Sequence, residues 1–173
     1  EGMLGEQGRG NGWYGLRGMG SGEAEVREVL KALSRKIGES EAMLGAQERG
    51  NALYGLQGMS SGETEVREVL KALSRKIGES QAMLDAQAIG NALYGLQGMS
   101  SGETEVREVL KALSRKIGES QEMLSGQNIG NALYGLQGMS SGETEVREAL
   151  KALSRKIGES QEMLSGQAIG NAL

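Results

Sequence analysis

The stretch Asn51-Ala52-Leu53-Tyr54-Gly55-Leu56-Gln57-Gly58-Met59 returns at Asn91 and again at Asn131, a period of 40 residues. Gly90 to Ile129 differs from Gly130 to Ile169 at two positions, Val109/Ala149 and Asn128/Ala168. Gly50 to Ile89 differs from the next copy at four positions, and Gly10 to Arg49 differs from its successor at nine. Such self-similarity means that one supersecondary unit is used repeatedly and that its neighbours must cover what it cannot bury alone. The 173 residues divide into units 1–40, 41–80, 81–120 and 121–160, with a partial unit 161–173.

Each unit reads as two helices. Val66, Val69, Leu70, Leu73 and Ile77 fall at i, i+3, i+4, i+7 and i+11, one face of a helix. Ser60 and Glu63 have capping-box spacing, with Ser61 or Thr64 as alternative caps. Glu63, Glu65 and Glu68 lie in its first turns and Arg75 and Lys76 in its last, which matches the helix dipole. Gly78 is the expected left-handed residue that ends it. A second helix is predicted over 81–97, capped by Ser80. Ala82, Ala86, Ile89, Leu93 and Leu96 form one apolar band along it, and Met83, Gly90 and Tyr94 a second. Gly90 and Gly95 inside a helix each cost about 1 kcal/mol relative to Ala. Close approach of a neighbouring backbone is the obvious reason to keep them.

A lone hairpin of this size buries too little to fold, whereas stacked hairpins share a continuous core. The expected fold is therefore all-α, an α-solenoid of helix-turn-helix tandem repeats with a right-handed superhelix. No segment alternates with period 2, and the helices are too short and Gly-punctuated for a coiled coil. Unit 1–40 is expected to be a divergent N-terminal cap. It carries Gly12-Trp13 for Ala52-Leu53, and Arg9 and Arg49 stand where Ile89 does. Trp13 then reads as an edge residue. The chain opens on Glu1, as expected of a processed or excised fragment, and residues 161–173 are expected to shield the last helix or stack on another molecule. Most differences between copies need a single nucleotide change, which fits tandem duplication with drift better than consensus design.

Composition narrows the chemistry. The chain has no Cys and no His, so disulfides, thiolate or imidazole metal sites and Ser-His or Cys-His pairs are excluded. Carboxylate-only metal sites stay open. The Gly98-Met99-Ser100-Ser101-Gly102 turn lacks the Lys of a phosphate loop. No enzyme and no cofactor is expected. There is no apolar run long enough to cross a membrane and no basic-then-apolar start. An intracellular location is expected over a secreted one.

Three recurring features are candidates for binding. Gln87, Asn91 and Tyr94 share a side of their helix and recur as Gln47, Asn51, Tyr54 and Gln127, Asn131, Tyr134, with Gln167 and Asn171 continuing the line. Such a row suits base edges or peptide main chain, with Tyr as a stacking platform. It reads equally as an amide ladder joining adjacent repeats. Asp85, Ala88, Ser125 and Asn128 vary between copies while the other helix barely changes, so they are candidate specificity positions or freely drifting surface. Arg67, Lys71 and Arg75, repeated as Arg107, Lys111 and Arg115, form a basic line fit to hold phosphates, or a solvated face supported by nearby Glu. The amide row and the basic line can serve one ligand only if their helices line one groove.

The Asn-Ala-Leu-Tyr-Gly-Leu stretch before a Gly-Met turn resembles the octotricopeptide repeat family of RNA-processing organelle proteins and bacterial effectors. The resemblance covers every unit through one short apolar motif. It implies an α-solenoid that binds single-stranded RNA. The expected function is thus a non-enzymatic module reading single-stranded RNA at roughly one nucleotide per repeat. The net charge of −4 argues mildly against a protein devoted to phosphate neutralisation. The alternatives are a scaffold, natural or engineered, that holds an extended peptide or protein, and a rod that associates end to end.

Overall fold

The computed structural model describes residues 15–41, 44–160, 166, 169 and 170. Among them seven helices are defined: α1 (Ala24–Glu39), α2 (Ala46–Gly55), α3 (Thr64–Glu79), α4 (Ala86–Gly95), α5 (Thr104–Glu119), α6 (Gly126–Gly135) and α7 (Thr144–Glu159). No strand occurs among the described residues. Long and short helices alternate, at 16 and 10 residues. Packing runs mainly between equivalent helices one period apart. The long helices α1, α3, α5 and α7 form one row, and the short helices α2, α4 and α6 form the other.

The long-helix pattern is the core. Val66, Val69, Leu70, Leu73 and Ile77 are fully buried, as are Val106, Val109, Leu110 and Ile117 in the next copy. Each such side chain contributes about 1.5–3 kcal/mol by leaving water. The short helices add Leu53, Leu93, Ile89 and Ile129 from the other side.

Glycine lets the short helices meet backbone to backbone. A Cβ on Gly95 would lie 1.9 Å from the Leu53 carbonyl oxygen, and one on Gly135 equally close to that of Leu93. A Cβ on Gly50 would lie 2.9 Å from the Ala88 Cα. The close approach expected from Gly90 and Gly95 is therefore real: a Cβ on Gly90 would meet Asn128 Oδ1 at 3.1 Å.

Three local expectations fail. The second helix of a unit starts at Ala86, not at 81, and residues 80–85 are outside any helix. The Ser80 hydroxyl accepts from Ala82 N (3.1 Å) in a local turn, and the Ser80 carbonyl receives the Lys116 ammonium from the next repeat, so it is withdrawn from a helical ladder. Asp85 and Ser125 are the true caps. Ala82 and Met83 consequently drop out of the apolar bands, with Met83 42% exposed, and Leu84 takes the buried place. Gly78 lies inside α3; the left-handed glycines are Gly18, Gly58, Gly98 and Gly138, in the turns after the short helices. The capping box does not form either. Glu63 is itself the N-cap residue without a side-chain bond, and Ser60 Oγ accepts from Gly62 N (3.1 Å).

Polar bonds fasten each junction. Ser21, Ser61 and Ser101 Oγ accept from the backbone N of Ser60, Ser100 and Ser140, each at 2.9 Å. Lys76, Lys116 and Lys156 are only 5%, 4% and 2% exposed, and their ammonium groups donate to the carbonyls of Ser40, Ser80 and Ser120 in the preceding repeat. Lys36, the first of the series, is exposed.

Two glycine replacements with opposite outcomes test this packing. Gly95→Ala forces the α2 and α4 backbones apart and destabilises by about 3 kcal/mol or more. Gly78→Ala meets nothing within 4 Å in a helix and stabilises by about 0.5–1 kcal/mol. Lys116→Met leaves the Ser80 carbonyl without its donor and costs about 1–3 kcal/mol. Denaturant unfolding of the three variants against the parent reads all of these effects.

Candidate functional site

On the long-helix row, Glu68, Lys71, Ala72 and Arg75 fall at i, i+3, i+4 and i+7. That spacing gathers them on one face of α3, and α1, α5 and α7 repeat it. Together these faces line a groove of about 1520 Å³ that crosses all four helices. Ser74 and Gly78 complete the lining in α3. Its charges are Lys31, Arg35, Lys71, Arg75, Lys111, Arg115, Lys151 and Arg155 against Glu28, Glu68, Glu108 and Glu148. Cations thus outnumber carboxylates two to one in a chain whose net charge is −4.

The predicted basic line is divided between two jobs. Lys71 and Lys111 line the groove and are exposed. Arg75 and Arg115 also line it, and each donates to a carbonyl of the preceding repeat, Arg75 to Gly38 O (2.9 Å) and Arg115 to Gly78 O (2.5 Å). Each also has an exposed carboxylate one turn on, Glu79 at 3.7 Å and Glu119 at 3.9 Å. In α7 the equivalent Arg155–Glu159 bond (3.0 Å) holds the Glu159 carboxyl below the usual carboxylate range. Arg67 and Arg107 are not groove residues. Arg67 clamps the turn before α3 through Ser61 O (3.0 Å), Gly62 O (2.7 Å) and Thr64 Oγ1 (3.3 Å). Arg107 repeats the clamp on Ser101 O (2.9 Å), Gly102 O (2.7 Å) and Thr104 Oγ1 (3.2 Å).

The amide row lies elsewhere. Gln47, Gln87 and Gln127 are exposed, Asn51 is buried, and Asn91 and Asn131 are half-buried. Gln47, Asn51, Gln87 and Asn91, with Asp85 and Ala88, line a separate polar pocket of 180 Å³ between the short helices. No member of the row reaches the long-helix groove. Tyr54 and Tyr94 pack with tilted rings, centroids 5.6 Å apart, and Tyr94 and Tyr134 stack at 5.5 Å. The Arg17 guanidinium covers the open face of Tyr54 at 4.3 Å. The rings of neighbouring repeats contact one another directly, and these spacings leave no room for a base between them. An amide ladder between repeats does exist, but Gln57, Gln97 and Gln137 build it, at 3.4 and 3.5 Å.

The variable positions are occupied by the fold. Asp85 Oδ1 accepts from Ala88 N (2.7 Å) and Ser125 Oγ from Asn128 N (3.2 Å), the N-cap role these residue types favour. Ala88 is buried against Gly50, and Asn128 packs against Gly90. Arg9, Trp13, Gln167 and Asn171 lie outside the described residues.

No known protein family, curated protein or solved structure matches the chain.

Two sets of cations take places that their sequence context does not reveal. The buried lysines of the junctions read there only as charges at a helix end, and no local spacing marks a partner 36 residues away. Arg49 is the second. It is fully buried, where the later copies have Ile89 and Ile129. Its Nε donates to Gly45 O (3.1 Å) and Nη2 to Ala82 O (3.0 Å), while Nη1 is buried without a hydrogen-bond partner. Burial lowers the pKa of this guanidinium, and Glu48 opposes the shift. The Glu48 carboxylate lies where a Cβ on Gly45 would sit, so Gly45, Glu48 and Arg49 form one matched set.

Arg49→Ile, with Gly45→Asp and Glu48→Ala to restore the later sequence, should therefore raise stability by about 1–4 kcal/mol, as replacing buried charge by packed apolar side chains does. Thermal unfolding of the triple variant checks it.

Proposed function

We propose that the chain is a non-enzymatic tandem-repeat binding module, an α-solenoid of 40-residue helix-turn-helix units, that holds single-stranded RNA in its long-helix groove. The observation that carries this reading is the convergence of cations from all four long helices on one groove of about 1520 Å³ in an acidic chain. Phosphates would lie along the lysines Lys31, Lys71, Lys111 and Lys151, one per repeat, with the arginines beside them. The exposed i,i+4 pairs of those arginines are worth only about 0.3–0.5 kcal/mol, so a polyanion can displace Glu79 and its equivalents. The resemblance of the repeats to octotricopeptide repeats supports the same ligand class. The bases, in this reading, are not held by the amide row, because Gln87, Asn91 and Tyr94 belong to the other row of helices.

Titration with single-stranded RNA at about 50 and 200 mM salt tests the proposal. With one phosphate per repeat, log K falls against log salt with a slope of about −3, at about 0.7 per phosphate. Lys71→Ala together with Lys111→Ala, both exposed side chains, reduces the slope by about 1.4 and leaves the unfolding midpoint unchanged. Absence of RNA binding at the lower salt overturns the reading, and capture of an acidic peptide in its place would assign the groove to protein ligands.

A further inference from the structure

We infer that the groove reads the backbone of its ligand and carries no base code. The inference rests on the RNA reading above and specifies what that groove can recognise.

Three independent observations carry it. First, the groove is chemically uniform. Each of the four long helices presents Glu, Lys, Ala and Arg at the same four places, as in Glu68, Lys71, Ala72 and Arg75. A reader that assigns one base to each repeat must change side chains from repeat to repeat, and these do not change. Second, the candidate specificity positions Asp85, Ala88, Ser125 and Asn128 are committed to the fold and lie on the other row. Asp85 and Ser125 are helix caps, and Ala88 and Asn128 fill junctions against Gly50 and Gly90. Altering one of them changes a junction and leaves the groove lining as it was. Third, the rings of Tyr54 and Tyr94 are flanked on both sides, by one another, by Tyr134 and by Arg17. Among the described residues the groove itself is lined by no aromatic side chain. What remains for a ligand is a periodic set of cations on helices one repeat apart. That matches a repeating anion, the phosphodiester chain, and is indifferent to the bases it carries.

Equal-length oligomers of poly(U), poly(A) and poly(C), about 20 nucleotides long, are titrated against the intact chain at low salt. Inorganic polyphosphate is the competitor that offers the anion without ribose or base. The three dissociation constants are expected to agree within about threefold, the modest spread of binders without base readout, and polyphosphate is expected to displace all three. Asn91→Ala with Asn131→Ala is expected to leave their ranking unchanged. A spread of tenfold or more, a ranking altered by the Asn variants, or RNA binding that polyphosphate cannot displace overturns the inference while RNA binding itself stands. Failure of every RNA to bind overturns the RNA reading and the inference with it.

Discussion

The contact on which the rest depends is that of Gly95 with the Leu53 carbonyl, repeated by Gly135 on Leu93. Only a hydrogen atom fits between those backbones. The short helices thereby meet backbone to backbone at these glycines, and one relative placement of successive repeats is selected. The serine, lysine and glutamine bonds of the junctions then recur at constant offsets. The serine hydroxyls reach 39 residues, the lysines 36 and the glutamine amides 40. Stability in such an array is close to a sum of nearest-neighbour terms. A residue column that serves the junction is therefore selected several times over, once per interface.

That constraint explains what was legible in the sequence and what was not. Val66, Val69, Leu70, Leu73 and Ile77 announce a helix face because their spacing is local, and all five are buried. Gly90 and Gly95 announce a close neighbour because glycine inside a helix has a cost that needs a reason. Ser80 misleads because its best local use is as a helix cap, whereas its carbonyl is claimed by Lys116 from the next repeat. Gly78 misleads in the same way, since α3 runs past it to Glu79 and Ser80, in extended backbone, ends the helix. Partners one period away leave no trace in a window of a few residues. The candidate site was half legible for a related reason. Spacing gives the face each side chain occupies on its own helix, so Lys71 and Arg75 are correctly paired and share a groove. It does not say which faces of two helices meet the same solvent, and the amide row and the basic line do not.

The two rows divide the labour. On the short-helix side the tyrosines and one glutamine column are paired with their own kind. Tyr94 lies between Tyr54 and Tyr134, and Gln97 between Gln57 and Gln137. These contacts satisfy groups that a ligand would otherwise use. On the long-helix side one face is consumed by the core and the opposite one is left to solvent. There the groove lysines have no structural bond to give up, and Arg75 and Arg115 each hold a carbonyl of the preceding repeat while their ion-pair partners are exposed glutamates. Drift between copies has accordingly accumulated on the short-helix side, at Asp85, Ala88, Ser125 and Asn128, and has spared the groove.

A net charge of −4 does not oppose an anion-binding groove once the location of the charges is considered. Charges more than a Debye length apart, about 8 Å at physiological salt, are largely screened. The potential an incoming strand meets is set by the groove walls, not by the total. Glu63 and Glu65 lie in the first turn or cap of the long helices, outside the groove lining. Within the lining the glutamates form one line, at Glu28, Glu68, Glu108 and Glu148, and the cations two, because each residue type occupies the same place on successive helices. The same order of one glutamate and two cations therefore runs unchanged along the row. In the proposed reading, a polyanion that follows the row gains one equivalent contact with each repeat it crosses, so the number of repeats would set the affinity and the repeat itself the chemistry.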